Sequence, residues 1–374
     1  MIAPPIPPQR TRTPHLAALT GLRGIAACLV VFYHLRLSVA DWMPENLIVA
    51  AGYGYLAVDL FFMLSGFVMW LNYARKLREQ GLTGARAFWW RRFARIWPLH
   101  AAVLAAMLMF ALVLLATGRD MTGYPLAELP LHVLLMQNWG LTSALTWNHP
   151  AWSISAEMGA YLLFPLVAVT LRREQARPLA LVAGVALAAL ILHGVFAWSG
   201  AQTLGDQITR LGLARCLAQF AIGMMLAGLW QHWRESRGMA LAWCLAGCTV
   251  LAGAAFAQVP QTLAVPMALA ALLLALALDR GPVAHVLSTR PLLWLGDASY
   301  AIYLVHFPLL ILVKLVAAGA DARIGPGVCI AYLLVLLALS GALSRWLEKP
   351  AQRWLNARMP FAWRARVVAE GSAR

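Results

Sequence analysis

Arg23, His34, Asp59, Glu157, Arg215, His306 and Lys314 are ionisable side chains set within otherwise apolar stretches of this sequence. A charge in hydrocarbon costs at least ~2.5–3.5 kcal/mol, so such residues usually carry a function or hold a partner. Imidazole level with carboxylate is a general-base arrangement, in which the acid fixes the ring's tautomer and stabilises its cation. Guanidinium groups grip phosphates or polarise a carbonyl.

Spacing refines this chemistry. Arg23 and His34 are eleven residues apart, so on a helix their directions differ by only about 20° and their heights by about 16 Å. Asp59 lies a few residues into the next apolar stretch and Glu157 two turns into a later one. If those stretches cross a membrane from the outer side, both carboxylates are level with His34. Each residue also has a plainer reading. His34 could reach for outer headgroups, and Asp59 and Glu157 could be ion-pair partners that only lock helices together.

His306 lies in Ser299-Tyr-Ala-Ile-Tyr303-Leu-Val-His306-Phe-Pro308. Tyr303 is one turn earlier and shares its face, and Pro308 frees a carbonyl near Leu304, which suits a bent helix lining a cavity. A packing histidine fits the same residues. The run Arg86-Ala-Phe-Trp-Trp-Arg91-Arg92-Phe-Ala-Arg95-Ile-Trp97-Pro98, expected as a loop on the inner side of the membrane, places Arg92 and Arg95 on one helix turn. Paired guanidiniums among tryptophans suit a nucleotide-bearing donor, or an ordinary basic anchor beside a membrane. There is no Gly-rich phosphate loop, zinc helix or nucleophile elbow.

The elements that hold these residues follow from composition. The 374 residues are 61% hydrophobic and 12% charged, half the charge of an ordinary soluble domain. Ten apolar stretches are long enough to span: roughly 16–37, 54–73, 97–117, 150–171, 178–198, 212–232, 239–257, 261–279, 297–317 and 326–346. The stretch 129–141 is too short and reads as an interfacial or re-entrant segment. With the N-terminus inside, inner segments hold 23 of the 30 basic residues and outer ones only Arg36, Arg119, Arg210 and Arg323. That asymmetry predicts both termini in the cytosol. It also explains the net charge of +15 without nucleic acid. The expected class is an all-α, polytopic membrane helical bundle of about ten transmembrane helices. Residues 1–15 read as a flexible cytosolic tail, 16–346 as the membrane domain and 347–374 as a basic cytosolic tail. The five cysteines lie in apolar stretches and predict neither a disulfide nor a metal site.

The motifs resemble those of the acyltransferase-three family of integral membrane O-acyltransferases. Leu19-Thr-Gly-Leu-Arg23 through Tyr33-His34 resembles its first span, with Arg and His separated by ten residues. Val58-Asp59-Leu-Phe-Phe-Met-Leu-Ser65-Gly66-Phe67 is similar to its second. Arg92-Phe-Ala-Arg95 resembles its loop motif, and Trp152-Ser153-Ile-Ser-Ala-Glu157 its Trp-Ser-x-x-x-Glu segment. Ser299-Tyr300 through Pro308 and Leu347-Glu348-Lys349-Pro350 resemble its late patterns. The likeness covers roughly residues 16–354, without the fused esterase-like domain of some members.

The resemblance implies transfer of a short acyl group, often acetyl, from cytosolic acyl-CoA to a hydroxyl of a carbohydrate or glycolipid, in a bacterial inner membrane. Arg92 and Arg95 are then expected to hold the donor's phosphates. Arg23 attracts them or polarises the thioester, His34 acts as base, and Asp59 or Glu157 orients the ring. Ser153, Tyr303 and His306 are further pocket candidates. A covalent acyl-histidine remains an alternative, and a transporter or flippase of a lipid-linked sugar is the competing function.

Overall fold

The computed structural model describes residues 14–171, 177–236, 238–319 and 321–360. The expected N-terminal tail up to residue 13, and Arg172, Arg173, Arg237, Arg364, Arg366 and Arg374, lie outside them.

Among the described residues all regular structure is helical and there is no strand. Eight helices are long and apolar enough to cross a membrane. Two facts reconcile that number with the ten expected stretches. Helix α3 (Ala57–Ala116) is two helices joined at Gly81, whose φ of 56° and ψ of −134° break the run. Helix α8 (Met239–Ala257) spans the expected 239–257, although its described apolar core is shorter. The others are α1 (Pro14–Leu35), α5 (Ala151–Thr170), α6 (Pro178–Trp198), α7 (Ile208–Trp233), α9 (Gln261–Leu278), α11 (Arg290–Ala317) and α12 (Pro326–Leu343). Shorter helices are α2 (Glu45–Gly52), α4 (Leu129–Val133), α10 (Pro282–Leu287) and α13 (Lys349–Ala357). Proline opens α6, α10, α11, α12 and α13, where its missing N–H costs nothing.

Apolar helices in lipid associate through close backbone packing at small residues rather than through expulsion of water. Helices α1 and α11 meet in this way. A side chain at Gly24 would put its Cβ 2.7 Å from the Gly296 nitrogen, and one at Gly296 would overlap the Thr20 carbonyl. Ten residues beyond each glycine, His34 meets His306. The two helices therefore run in the same direction, as the first and ninth spans of an alternating bundle must. Omitting α8 as a crossing would make them antiparallel. The first arm of α3 packs on α7 similarly: Gly223 faces the Met63 carbonyl, and the pairs Asp59–Arg215 and Phe67–Trp230 advance together.

Two of the prolines inside helices are answered by side chains. Pro308 frees the Leu304 carbonyl, which accepts the Asn148 amide at 2.9 Å. Pro165 frees the Tyr161 carbonyl, which accepts the Trp89 indole at 3.0 Å.

The segment after α3 is re-entrant. Tyr124 packs on Phe110, the His132 carbonyl meets His100, and the Val133 carbonyl meets Trp97, so the chain descends along the helix it has just left. It turns at Leu135 (φ 57°), binds Ser155 through the Asn138 N–H, and climbs back to Gly123 at Trp147.

One expectation is corrected. The run 86–98 is not an inner loop but a helix continuous with the following span. Phe88 packs on Tyr73, Trp90 binds the Leu355 carbonyl, and the Ile96 carbonyl accepts from Tyr300. Arg92 and Arg95 therefore lie inside the bundle. Arginine within a span is expensive unless it meets acids, hydroxyls or ring faces, and all three are present here.

Candidate active site

The arginines converge on a cavity of about 200 Å³ between α1, α3, α5 and α11. Arg23 reaches in from α1 and donates to the Ser299 hydroxyl at 3.3 Å. Arg92 donates to the Tyr73 hydroxyl at 3.2 Å, with its guanidinium over the rings of Tyr73 and Tyr161. Arg95 is paired with the buried Glu348 and lies over Tyr300. The Arg-x-x-Arg spacing works because positions three apart share a helix face. Here that face looks into the cavity, so three cations line one space.

Glu157 faces the arginines across the cavity. Its Oε1 accepts the Tyr161 hydroxyl at 2.5 Å, and that hydroxyl also meets Ser65 Oγ at 2.7 Å. Glu157 and Tyr161 are four apart on α5, a pairing that spacing alone could have suggested. Ser153 and Tyr303 close the cavity at another point. Their hydroxyls are 2.7 Å apart, and Tyr303 also donates to the Pro150 carbonyl at 3.0 Å.

Beyond Tyr303 lies a pair of histidines. The Tyr303 and His306 ring centroids are 5.9 Å apart, and His306 Nε2 lies 3.2 Å from His34 Nδ1. Each ring also sets its Nδ1 on the carbonyl four residues earlier, His34 on Val30 at 3.0 Å and His306 on Ile302 at 3.1 Å. A carbonyl only accepts, so both Nδ1 atoms carry the proton. The single His34 Nδ1–H is thus shared between the Val30 carbonyl and the His306 Nε2 lone pair, and His34 Nε2 keeps its own lone pair for a substrate proton. His306 is fully buried, whereas His34 is half-buried beside Tyr33 and Phe307. His149 stacks on Phe307 with centroids 4.7 Å apart.

The expectation that a carboxylate orients His34 is corrected. No hydrogen bond joins the ring to Asp59 or Glu157 among the described residues, and its side-chain partner is His306. Asp59 is fully buried and bound elsewhere. Arg215 Nε donates to its Oδ1 at 2.8 Å and Nη2 to its Oδ2 at 2.5 Å, with Gln219 adding a third bond at 3.0 Å. Arg215 also donates to the Leu204 and Tyr55 carbonyls, tying α7 to the two turns that carry them. The turn carrying Leu204 is shaped by Asp206, which accepts the N–H groups of Gln202 and Thr203. These donors hold its carboxyl below the usual carboxylate range. Asp59 and Arg215 are thus a satisfied buried ion pair, the plainer of the two readings.

The arrangement offers a cavity lined by three guanidiniums and one carboxylate and, one aromatic ring away, an imidazole with an oriented lone pair. Residues not singled out from sequence are Tyr161, Ser65 and Ser299, together with the buried acid Glu348. Glu348 stood in a recognised closing motif, but nothing there indicated its partner.

Known proteins resemble this chain over most of its length. The family model described as an acyltransferase domain matches residues 16–345. The acyltransferase MdmB of Streptomyces mycarofaciens is 30% identical over 96% of this chain and 96% of its own length. The O-acetyltransferase OatA of Staphylococcus aureus is 23% identical over 91% of this chain, which spans 57% of that longer protein. No solved structure matches.

Proposed function

The chain belongs to this family of acyltransferases, and we propose that it moves a short acyl group, acetyl in the simplest case, from cytosolic acyl-CoA to a hydroxyl of a carbohydrate or glycolipid at the outer side of a bacterial inner membrane. The observation that carries this reading is the continuous line of side chains from the three arginines through Tyr303 to His306 and His34.

In the proposed reaction the donor's phosphates enter from the basic end of the bundle and sit against Arg92 and Arg95. Arg23 draws charge from the thioester carbonyl as it becomes an oxyanion. His34 Nε2 takes the proton of the acceptor hydroxyl, and the freed oxygen attacks the carbonyl. A new C–O bond forms, the C–S bond breaks and the thiolate of CoA leaves. The proton on His34 is then released to the thiolate or to water. His306, together with the Val30 carbonyl, holds the ring in the tautomer that leaves Nε2 free, the part expected of a carboxylate. Tyr303 stands between donor and base, and rotation of its ring opens the path for the acyl arm. Glu157 acts on the cavity wall through Tyr161. Asp59 and Arg215 hold α3 against α7.

The two relatives named above are acyltransferases, which favours transfer over transport. Incubating membranes with labelled acetyl-CoA tests the proposal. Label should appear on a glycan with the native protein and not with an inserted His34→Ala variant. Absence of transfer by the native protein, or undiminished transfer by the variant, overturns it.

A further inference from the structure

A second concavity lies on the other side of α11, at the basic end of the bundle. Its volume is about 730 Å³. One wall is the end of α11, with Trp294 and Asp297, and the other is the end of α12 with the turn that follows it. That turn, Ser344–Glu348, is a π-helical insertion between α12 and α13, a local widening that commonly marks functional sites.

Three cations line the groove: Arg345, Lys349 and Arg353. They are spaced by four, so they form one stripe. The single acid in the lining is Asp297, whose carboxylate is 3.7 Å from Lys349. Net positive charge therefore remains. Above the stripe the wall is small and apolar, made by Ala338, Gly341 and Ala342, and it opens beside the exposed Leu334, Val335 and Leu339 of α12. Trp346 is 73% exposed and Trp294 48% exposed at the level of the cations. Such tryptophans occupy the headgroup layer.

We propose that this groove binds an anionic phospholipid. The phosphate sits on the stripe of Arg345, Lys349 and Arg353, and an acyl chain runs along the small residues of α12 between the two tryptophans. A free phosphate would satisfy the cations but leave the apolar wall unused. A zwitterionic lipid would set its own cation against the stripe. Clusters of Lys and Arg just inside a span attract anionic lipid by about 1 kcal/mol each, about fivefold in affinity per charge. The site does not rest on the acyl chemistry proposed above.

The test uses the full chain purified in detergent. Thermal unfolding is followed during titration with mixed micelles of phosphatidylglycerol, of phosphatidylcholine, or with inorganic phosphate alone. The native protein should be stabilised by phosphatidylglycerol and by neither of the others. Arg345→Gln/Lys349→Gln/Arg353→Gln should weaken that response at least tenfold. If the triple variant does not insert, Arg345→Gln alone should weaken it about fivefold. Equal stabilisation by phosphatidylcholine, an equal response to inorganic phosphate, or an unchanged response in the variant would overturn the proposal. So would a raised KM for acyl-CoA with the lipid response intact, which would assign the groove to the donor's nucleotide.

Discussion

His306 Nε2 faces His34 Nδ1 at 3.2 Å, so the imidazole on the first span is oriented by a second imidazole and not by an acid. A neutral partner fixes the tautomer of His34 but lends no negative charge to its cation. The pair should therefore act by geometry. His34→Ala is expected to lower kcat by about 10²–10⁴, the usual worth of a positioned base. His306→Gln, which keeps an acceptor near His34, should retain more activity than His306→Ala. Steady-state rates in vesicles check this, and equal rates for the two substitutions would remove the orienting role.

Asp59 and Arg215 give a prediction about folding. Asp59→Ala leaves a fully buried guanidinium without its acid, which costs about 3–5 kcal/mol. Asp59→Leu combined with Arg215→Met should fold better than either single change. Yield of detergent-stable protein is the readout. A catalytic Asp59 would instead give a stable but inactive Asp59→Asn protein.

Arg92 and Arg95 should separate in their effects. Arg92 meets hydroxyl and ring faces, so Arg92→Ala is expected to raise the KM for acyl-CoA by about tenfold or more, in line with loss of a charge-assisted contact worth roughly 1.5–3 kcal/mol. Arg95→Ala also leaves Glu348 buried and unpaired. Adding Glu348→Gln should restore stability without restoring KM. Binding of acyl-CoA by calorimetry distinguishes the two.

Asn148 answers the carbonyl that Pro308 releases. Asn148→Leu should destabilise the protein by about 1–3 kcal/mol, the usual cost of an unsatisfied buried polar group. Pro308→Ala in the same chain restores a donor to Leu304 and should recover part of that loss. Thermal unfolding of the single and double variants is the measurement.

Much of the bundle was legible because apolar length and charge asymmetry are one-dimensional properties. The stretches 178–198 and 239–257 coincide with α6 and α8. The shared face of Arg23 and His34 was legible too, since helical periodicity fixes it, and both do turn to α11. Depth, however, is not azimuth. Asp59 was placed at the height of His34, but its direction around the helix aims it at Arg215, 156 residues away. The run 86–98 misled for another reason. Dense arginine normally marks a segment outside the hydrocarbon, and here the rings of Tyr73, Tyr161 and Tyr300, the Tyr73 hydroxyl and Glu348 make its burial tolerable. Nothing local to the arginines announces those partners. The closing of the Leu304 carbonyl was foreseeable as a need, but its donor comes from a loop whose path depends on the re-entrant segment.

The parallel seating of α1 on α11 has a consequence for how the protein is made. The ring at position 34 leaves the ribosome 272 residues ahead of the one it will lean on. At translation speeds of roughly 5–20 residues per second, that delay is on the order of tens of seconds. Throughout it, an arginine and a histidine reside in lipid without the helix that will host them. Biogenesis, and not only turnover, is thus exposed to whatever shelters that first hairpin until the ninth crossing arrives.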